Sequence, residues 1–134
     1  MSQENVEIVR AAYSAISTGA IEAASELYAP DVELRDLQSA PDQPFSVTGA
    51  EALGEVWTTW TTAFDVLSAD VKQYIDAGNA VIADAHWHGQ GRASGVAIDN
   101  RQFDVFELLD GKIVRVTLGY RSKAEALEAA GRRE

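Results

Sequence analysis

Asp104 lies in Phe103-Asp104-Val105-Phe106-Glu107-Leu108-Leu109, directly ahead of an Asp110-Gly111 turn. Side chains alternate faces along an extended strand, so Asp104 shares a face with Phe106 and Leu108. A carboxylate among such neighbours sits at an open rim, is paired, or is kept neutral by desolvation. Arg101, Arg92 and the histidines are the candidate partners, and a neutral Asp104 would be a proton donor. A second carboxylate ends the alternating stretch Asp31-Val32-Glu33-Leu34-Arg35-Asp36, which puts Val32, Leu34 and Asp36 on one face. Asp36 is then either an inward carboxylate fit for acid–base work or a strand end that accepts loop amides.

His86 and His88 flank Trp87 and invite a metal hypothesis. Two histidines at i and i+2 need a third ligand and an orienting shell to make a site. The alternation Val81, Ala83, Ala85, Trp87 is the apolar series, so Trp87 is expected inward and both histidines outward. A polar outer or dimer face is the reading, with no metal site. Trp57, Trp60, Phe64, Trp87 and Phe106 form an aromatic set, part core and part wall. Ala83 and Ala85 leave room beside them, a mixture that suits a pocket for an apolar ligand. Gly89-Gln90-Gly91-Arg92 lacks the Lys-Ser/Thr step of a phosphate loop. The serines lack a nucleophile elbow, which argues against a serine hydrolase.

The elements that must position these groups follow from periodicity. Val6, Val9, Arg10, Tyr13 and Ile16 keep helical spacing, predicting a helix over 3–17 with Gly19 as its C-cap. Ile21, Ala24, Leu27 and Tyr28 predict a second short helix, stopped before Pro30. A strand over 31–36 and a loop over 37–48, with a short strand at 45–47, come next. Thr48 and Glu51 read as a capping box. The helix they open carries Leu53, Val56, Trp57, Trp60 and Phe64 on one face. Strands are then predicted over 66–75, 80–88, 96–109 and 112–120, with hairpin turns at 76–79 and 110–111. A terminal helix covers 124–130. Helices followed by a meander of antiparallel strands predict an α+β fold in which a twisted sheet wraps the helices. The long strands are apolar on both faces. One face is expected to meet the helices and the other a second subunit, giving a homodimer through the outer sheet face.

The chain has 134 residues and is 46% hydrophobic, the size and composition of one domain over 1–134. Lys+Arg 11 against Asp+Glu 21 leaves a net charge of −10, which disfavours nucleic acid and anionic membrane surfaces. No run of apolar residues is long enough for a membrane span, and the N-terminus does not read as a signal peptide. There are no cysteines, so disulfides and thiolate chemistry are out and a cytoplasmic location fits.

Glu4–Tyr13, the Leu27-Tyr28-Ala29-Pro30-Asp31-Val32-Glu33 stretch, Val47-Thr48-Gly49, Phe106–Val114 and Ala124–Gly131 resemble a SnoaL-like member of the nuclear-transport-factor-2-like superfamily. The resemblance spans nearly the whole chain. It implies a cone, in which a curved sheet and three helices enclose one apolar pocket. Members include ketosteroid isomerases, polyketide cyclases and non-catalytic binders, and fold does not choose among them. By analogy with ketosteroid isomerase, Asp36 takes the place of the general base and Asp104 that of a protonated acid that donates to an oxyanion. Tyr13 falls one position from the isomerase tyrosine on the first helix. The implied pocket is lined by Ile16, Leu34, Trp57, Trp60 and Phe64, with Trp87, Phe106, Leu118 and Tyr120 across from them. The acid of polyketide cyclases on the last strand has no counterpart, since Val116 and Leu118 hold the inward positions.

Three functions follow. One is cofactor-independent proton transfer next to a carbonyl in a small apolar substrate, isomerase- or cyclase-like. Another is a non-catalytic ligand-binding or regulatory dimer that uses the same pocket. The third is a structural protein whose cone is filled. None of them calls for a cofactor.

Overall fold

The computed structural model describes residues 2–18, 20, 23–37, 45–64, 67–93, 95 and 97–131. Helix α1, Ser2–Thr18, buries Val9, Ala12, Tyr13 and Ile16 on one stripe. A short 3₁₀ helix over Ala23–Leu27 leads into β1, Tyr28–Asp36. The second helix predicted to run up to Pro30 is therefore shorter, and the strand starts earlier. Proline disfavours the helical conformation at the residue before it, so Ala29 is already extended. Pro30 sits where the register of β1 slips between Tyr28 and Glu33, a bulge in which a missing N–H costs no ladder bond. Gly19, Ile21, Val66 and Val96, to which the sequence reading gave roles or strand ends, lie outside the described residues.

Strand β2, Phe45–Thr48, pairs antiparallel with β1, and α2, Ala50–Ala63, follows at once. Thr48 does not cap this helix. It is committed to the sheet opposite Glu33, and Gly49 takes the N-cap position at φ 108° with no side-chain cap. The Gly49 N–H donates to the Val32 carbonyl at 2.7 Å, tying the helix start to β1. Strands β3 (Ser68–Asp76), β4 (Ala80–Gln90), β5 (Ala97–Leu109) and β6 (Lys112–Tyr120) form the expected meander. Asp110 at φ 52° and Gly111 at φ 78° make the tight turn between β5 and β6.

The sheet order is β2-β1-β6-β5-β4-β3. Four of the five neighbouring pairs are antiparallel, but β1 lies parallel to β6, so the sheet is mixed. On its inner face β1, β4, β5 and β6 pack against α1 and α2 in the main core. The outer face carries a smaller core: Ile82 and Val105 pack under Ala126 and Ala130 of α3, Lys123–Gly131, with Phe103 and Tyr120 beside them. The apolar outer residues that predicted a second subunit are thus covered by the chain's own third helix.

Candidate active site

Asp104 stands at the middle of β5, opposite Ala83 of β4, and is completely buried. None of the charged partners foreseen from the sequence reaches it. Its Oδ2 accepts from the Tyr13 hydroxyl at 2.7 Å and the Trp87 indole N–H at 2.9 Å. Its Oδ1 accepts from Gln102 Nε2 at 2.7 Å and the Gly119 N–H at 3.1 Å. Four donors from α1, β4, β5 and β6 therefore converge on one carboxyl group. Burial pushes the Asp104 carboxyl above the ordinary carboxylate value, while the bonds from Tyr13, Trp87, Gln102 and Gly119 pull the other way. The Tyr13 phenol is raised well above its usual value, first by burial and then by the charge of Asp104.

Tyr13 belongs to the buried stripe of α1, and its ring packs edge-on against Phe106 at 5.3 Å. The helix rotation that aims it inward also aims its hydroxyl at Asp104. Gly119 has φ 102°, a conformation open chiefly to glycine. That kink turns its N–H toward Asp104 and breaks the alternation of β6. Leu118 stays inside, and Tyr120, expected on the pocket wall, moves to the outer core.

A cleft of about 340 Å³ lies beside this cluster. Asp36, Trp60, Phe64, Trp87 and Leu118 line it. Ile16, Leu34, Trp57 and Phe106 do not line it; they are fully packed in the main core behind it. Asp104 is not in the lining either. It sits beneath the wall and holds two wall residues, Trp87 and Gln102. Asp36 lines the cleft and Asp104 does not, so the two carboxyl groups share no surface there.

The sequence reading missed Gln102 and Asn100, along with Leu67 and Ile98, which complete the cleft. Gln102 Oε1 accepts from Asn100 Nδ2, so a hydrogen-bond chain runs from buried Asp104 to the cleft wall. The signal was present: Asn100, Gln102, Asp104 and Phe106 share one face by simple alternation. Trp57 stacks near-parallel to Trp87, with ring centroids 6.4 Å apart. The Trp57 indole nitrogen is buried and meets no acceptor at hydrogen-bonding geometry among the described residues. Beside it, burial pushes the Tyr28 phenol up to about 12, slightly opposed by that indole.

His86 and His88 face outward, as expected, with ring centroids 5.6 Å apart. Each is held by a different carboxylate: His86 by Asp99 of β5, and His88 by Asp70 of β3 at 2.9 Å. Ser68 also reaches His88, at 3.2 Å. The two rings are drawn to opposite neighbouring strands, and no group of three metal-ligating side chains forms among the described residues. No helix among them is long and apolar enough to cross a membrane.

Known structures share this architecture. A ketosteroid isomerase-like protein from Catenulispora acidiphila, solved with trimethylamine, superposes with a TM-score of 0.76 at 18% identity, covering 93% of this chain and 92% of that one. A Mycobacterium tuberculosis protein solved with estradiol-17beta-hemisuccinate gives 0.75 at 16% identity, covering 90% and 95%. A de novo designed protein with a curved β-sheet gives 0.67 at 18% identity, covering 100% and 99%. At such identities the likeness is one of fold, and fold alone does not choose an activity. Among curated proteins none matches the sequence. The model of the SnoaL-like domain matches residues 9–116, which include Tyr13, Asp36, Asp104 and every strand but the end of β6. The chain belongs to the SnoaL-like domain family, within the nuclear-transport-factor-2-like superfamily.

Proposed function

We propose that the chain binds a small, largely apolar organic molecule in the cleft between α2 and the inner sheet face. The observation that carries this reading is the pairing of aromatic lining residues (Trp60, Phe64, Trp87) with a few polar ones (Asp36, Asn100, Gln102). Ligand sites have this composition, with apolar area for affinity and a few polar atoms for orientation. At about 340 Å³ the cleft is at the small end of such sites. Asp104 acts here as an anchor: it fixes the Trp87 ring and the Gln102 amide and does not touch the ligand. All three tryptophans of the chain lie in or behind the cleft, so binding is readable in intrinsic fluorescence. Titration with cyclohexanol and cyclohexanone should shift the emission saturably, and Trp60→Ala should weaken the response. A flat titration with both compounds overturns the reading.

Proton transfer next to a carbonyl is a second reading, favoured by the presence of Asp36 in that same wall. Asp36 would act as the base, and the second amide hydrogens of Gln102 and Asn100, those not spent on Asp104 and on Gln102, would donate to the developing enolate in place of Asp104. Exchange of the α-hydrogens of cyclohexanone in deuterated water, followed by NMR, tests it. Exchange no faster than buffer, or equally fast with Asp36→Asn, rules it out and leaves a binder. In this reading the protein works in the cytoplasm as a homodimer. With α3 over the apolar part of the outer face, the polar half around Asp70, His86, His88 and Asp99 is left for that contact. Sedimentation equilibrium decides between one and two copies.

A further inference from the structure

We propose that Asp104, Gln102 and Asn100 form a proton-operated switch, in which protonation of the buried carboxyl group turns both amides over and exchanges the donor and acceptor ends of two cleft-lining residues. The device needs no ligand, so it stands apart from what the cleft binds.

The direction of the resting chain is forced. A carboxylate only accepts, so Gln102 must present Nε2 to Asp104 Oδ1, and its Oε1 is left for an Asn100 Nδ2 hydrogen. Both bonds therefore run toward the carboxylate. Gln102 and Asp104 are buried, so neither can replace a lost partner with bulk water.

A proton taken up from solvent forms an O–H bond on the carboxyl group and cancels its charge. That hydroxyl must find an acceptor among four groups that all donate. The Trp87 indole and the Gly119 backbone N–H can only donate. Two groups can turn, the Tyr13 hydroxyl at Oδ2 and the Gln102 amide at Oδ1. Tyr13 is buried, and Asp104 is its one hydrogen-bond partner among the described residues. Accepting there would strand the phenol hydrogen in the core. Gln102 has an outlet. A half-turn of its amide sets Oε1 on the Asp104 hydroxyl and Nε2 toward Asn100, and a half-turn of Asn100 offers Oδ1 in return. The two ends of an amide are so alike in size that nothing need repack. The chain then runs the other way with every member paired.

The trigger is isolated. Tyr13 of α1 is the ionisable group in contact with Asp104, with Tyr28 and Tyr74 around that phenol, and β4 and β6 offer it only the Trp87 and Gly119 N–H groups. Burial raises the Asp104 carboxyl, which brings its protonation closer to neutral pH. On the other side of the amides, Asp36 shares the cleft lining and titrates in its own right.

NMR of the isotope-labelled wild-type chain from about pH 4 to about pH 9 tests the switch. Scalar coupling across the hydrogen bond from Gln102 Nε2 is expected to reach the Asp104 carboxyl carbon at high pH and the Asn100 carboxamide carbon at low pH. The changeover should fall at the midpoint of the Asp104 carboxyl carbon. Tyr13→Phe keeps both amides and should keep the reversal, whereas Gln102→Leu should free the Asn100 amide from that midpoint. Coupling to Asp104 that persists at both ends of the titration overturns the proposal. So do amide signals that follow the Asp36 carbon instead, or an Asp104 carbon that does not titrate in this range.

Discussion

Strand β5 carries two aspartates at an odd separation, Asp99 and Asp104, and the fold sends them to opposite worlds. Asp104 faces in, with no exposed surface and four uncharged donors. Asp99 faces out, 77% exposed, against one histidine. Their carboxyl groups shift in opposite directions. Burial drives Asp104 up, whereas the bond from His86 and its charge drive Asp99 down. One residue type on one strand gives an internal anchor and a surface partner, and the difference is set by solvent, not by sequence neighbours. It also separates structure from chemistry at the cleft. The carboxyl group that holds the wall residues is Asp104, and the one that lines the cleft is Asp36.

The comparison is broken most severely by deleting the anchor. Asp104→Ala strands four buried donors and leaves a void, and should cost roughly 3–5 kcal/mol of unfolding free energy. Denaturant titration reads it directly. Asp99→Ala, measured beside it, should barely move the midpoint. A loss under about 1 kcal/mol at Asp104 would mean that water replaces the carboxylate without penalty, against its place in the core.

Gly119→Ala comes next, at about 1–3 kcal/mol, because an alanine at φ 102° is strained and the kink aims the N–H at Asp104. If the kink serves the anchor, the cost in the Asp104→Ala background should be smaller than in the wild type, by a measurable coupling energy. Strict additivity would make the two features independent. Tyr13→Phe is gentler. It removes one of the four donors and keeps the ring against Phe106, costing about 1 kcal/mol. Because that bond lowers the Asp104 carboxyl, its loss should raise it further, and carbon NMR of the Asp104 carboxyl would follow the change.

Much of this frame is legible in the sequence. Alternation in β4 and β5 places Trp87 and Asp104 inward and both histidines outward, and the Asp-Gly turn fixes the last hairpin. What escapes is decided by events that alternation cannot represent. The bulge at Pro30 and the positive φ of Gly119 shift or reverse the pattern, which is why β1 starts early and Tyr120 changes face. Packing depth is the other blind spot. Trp57 and Trp60 lie on the same helix face, yet Trp57 is core and Trp60 is wall, because only tertiary contacts set how far each is buried. The donors on Asp104 were hidden for the same reason: three of the four come from other elements.

The smallest effect is also the sharpest test of the contrast, because it turns on sign. Asp104 has a raised folded value, so protonation is favoured by folding. Its contribution is fully present below the ordinary carboxylate value and is lost as pH rises through the folded one. Asp99 has a lowered folded value. Its contribution is present above the ordinary value and is lost as pH falls through the folded one. Subtracting the stability–pH curve of Asp104→Asn from that of the wild type should therefore leave a difference that declines toward alkaline pH. The same subtraction for Asp99→Asn should leave one that declines toward acid. The Asp99 difference should be the fainter, since His86 and Asp99 meet in solvent, and added salt should erase it first. Two curves of the same slope would mean that the faces of β5 do not differ in dielectric as their burial requires.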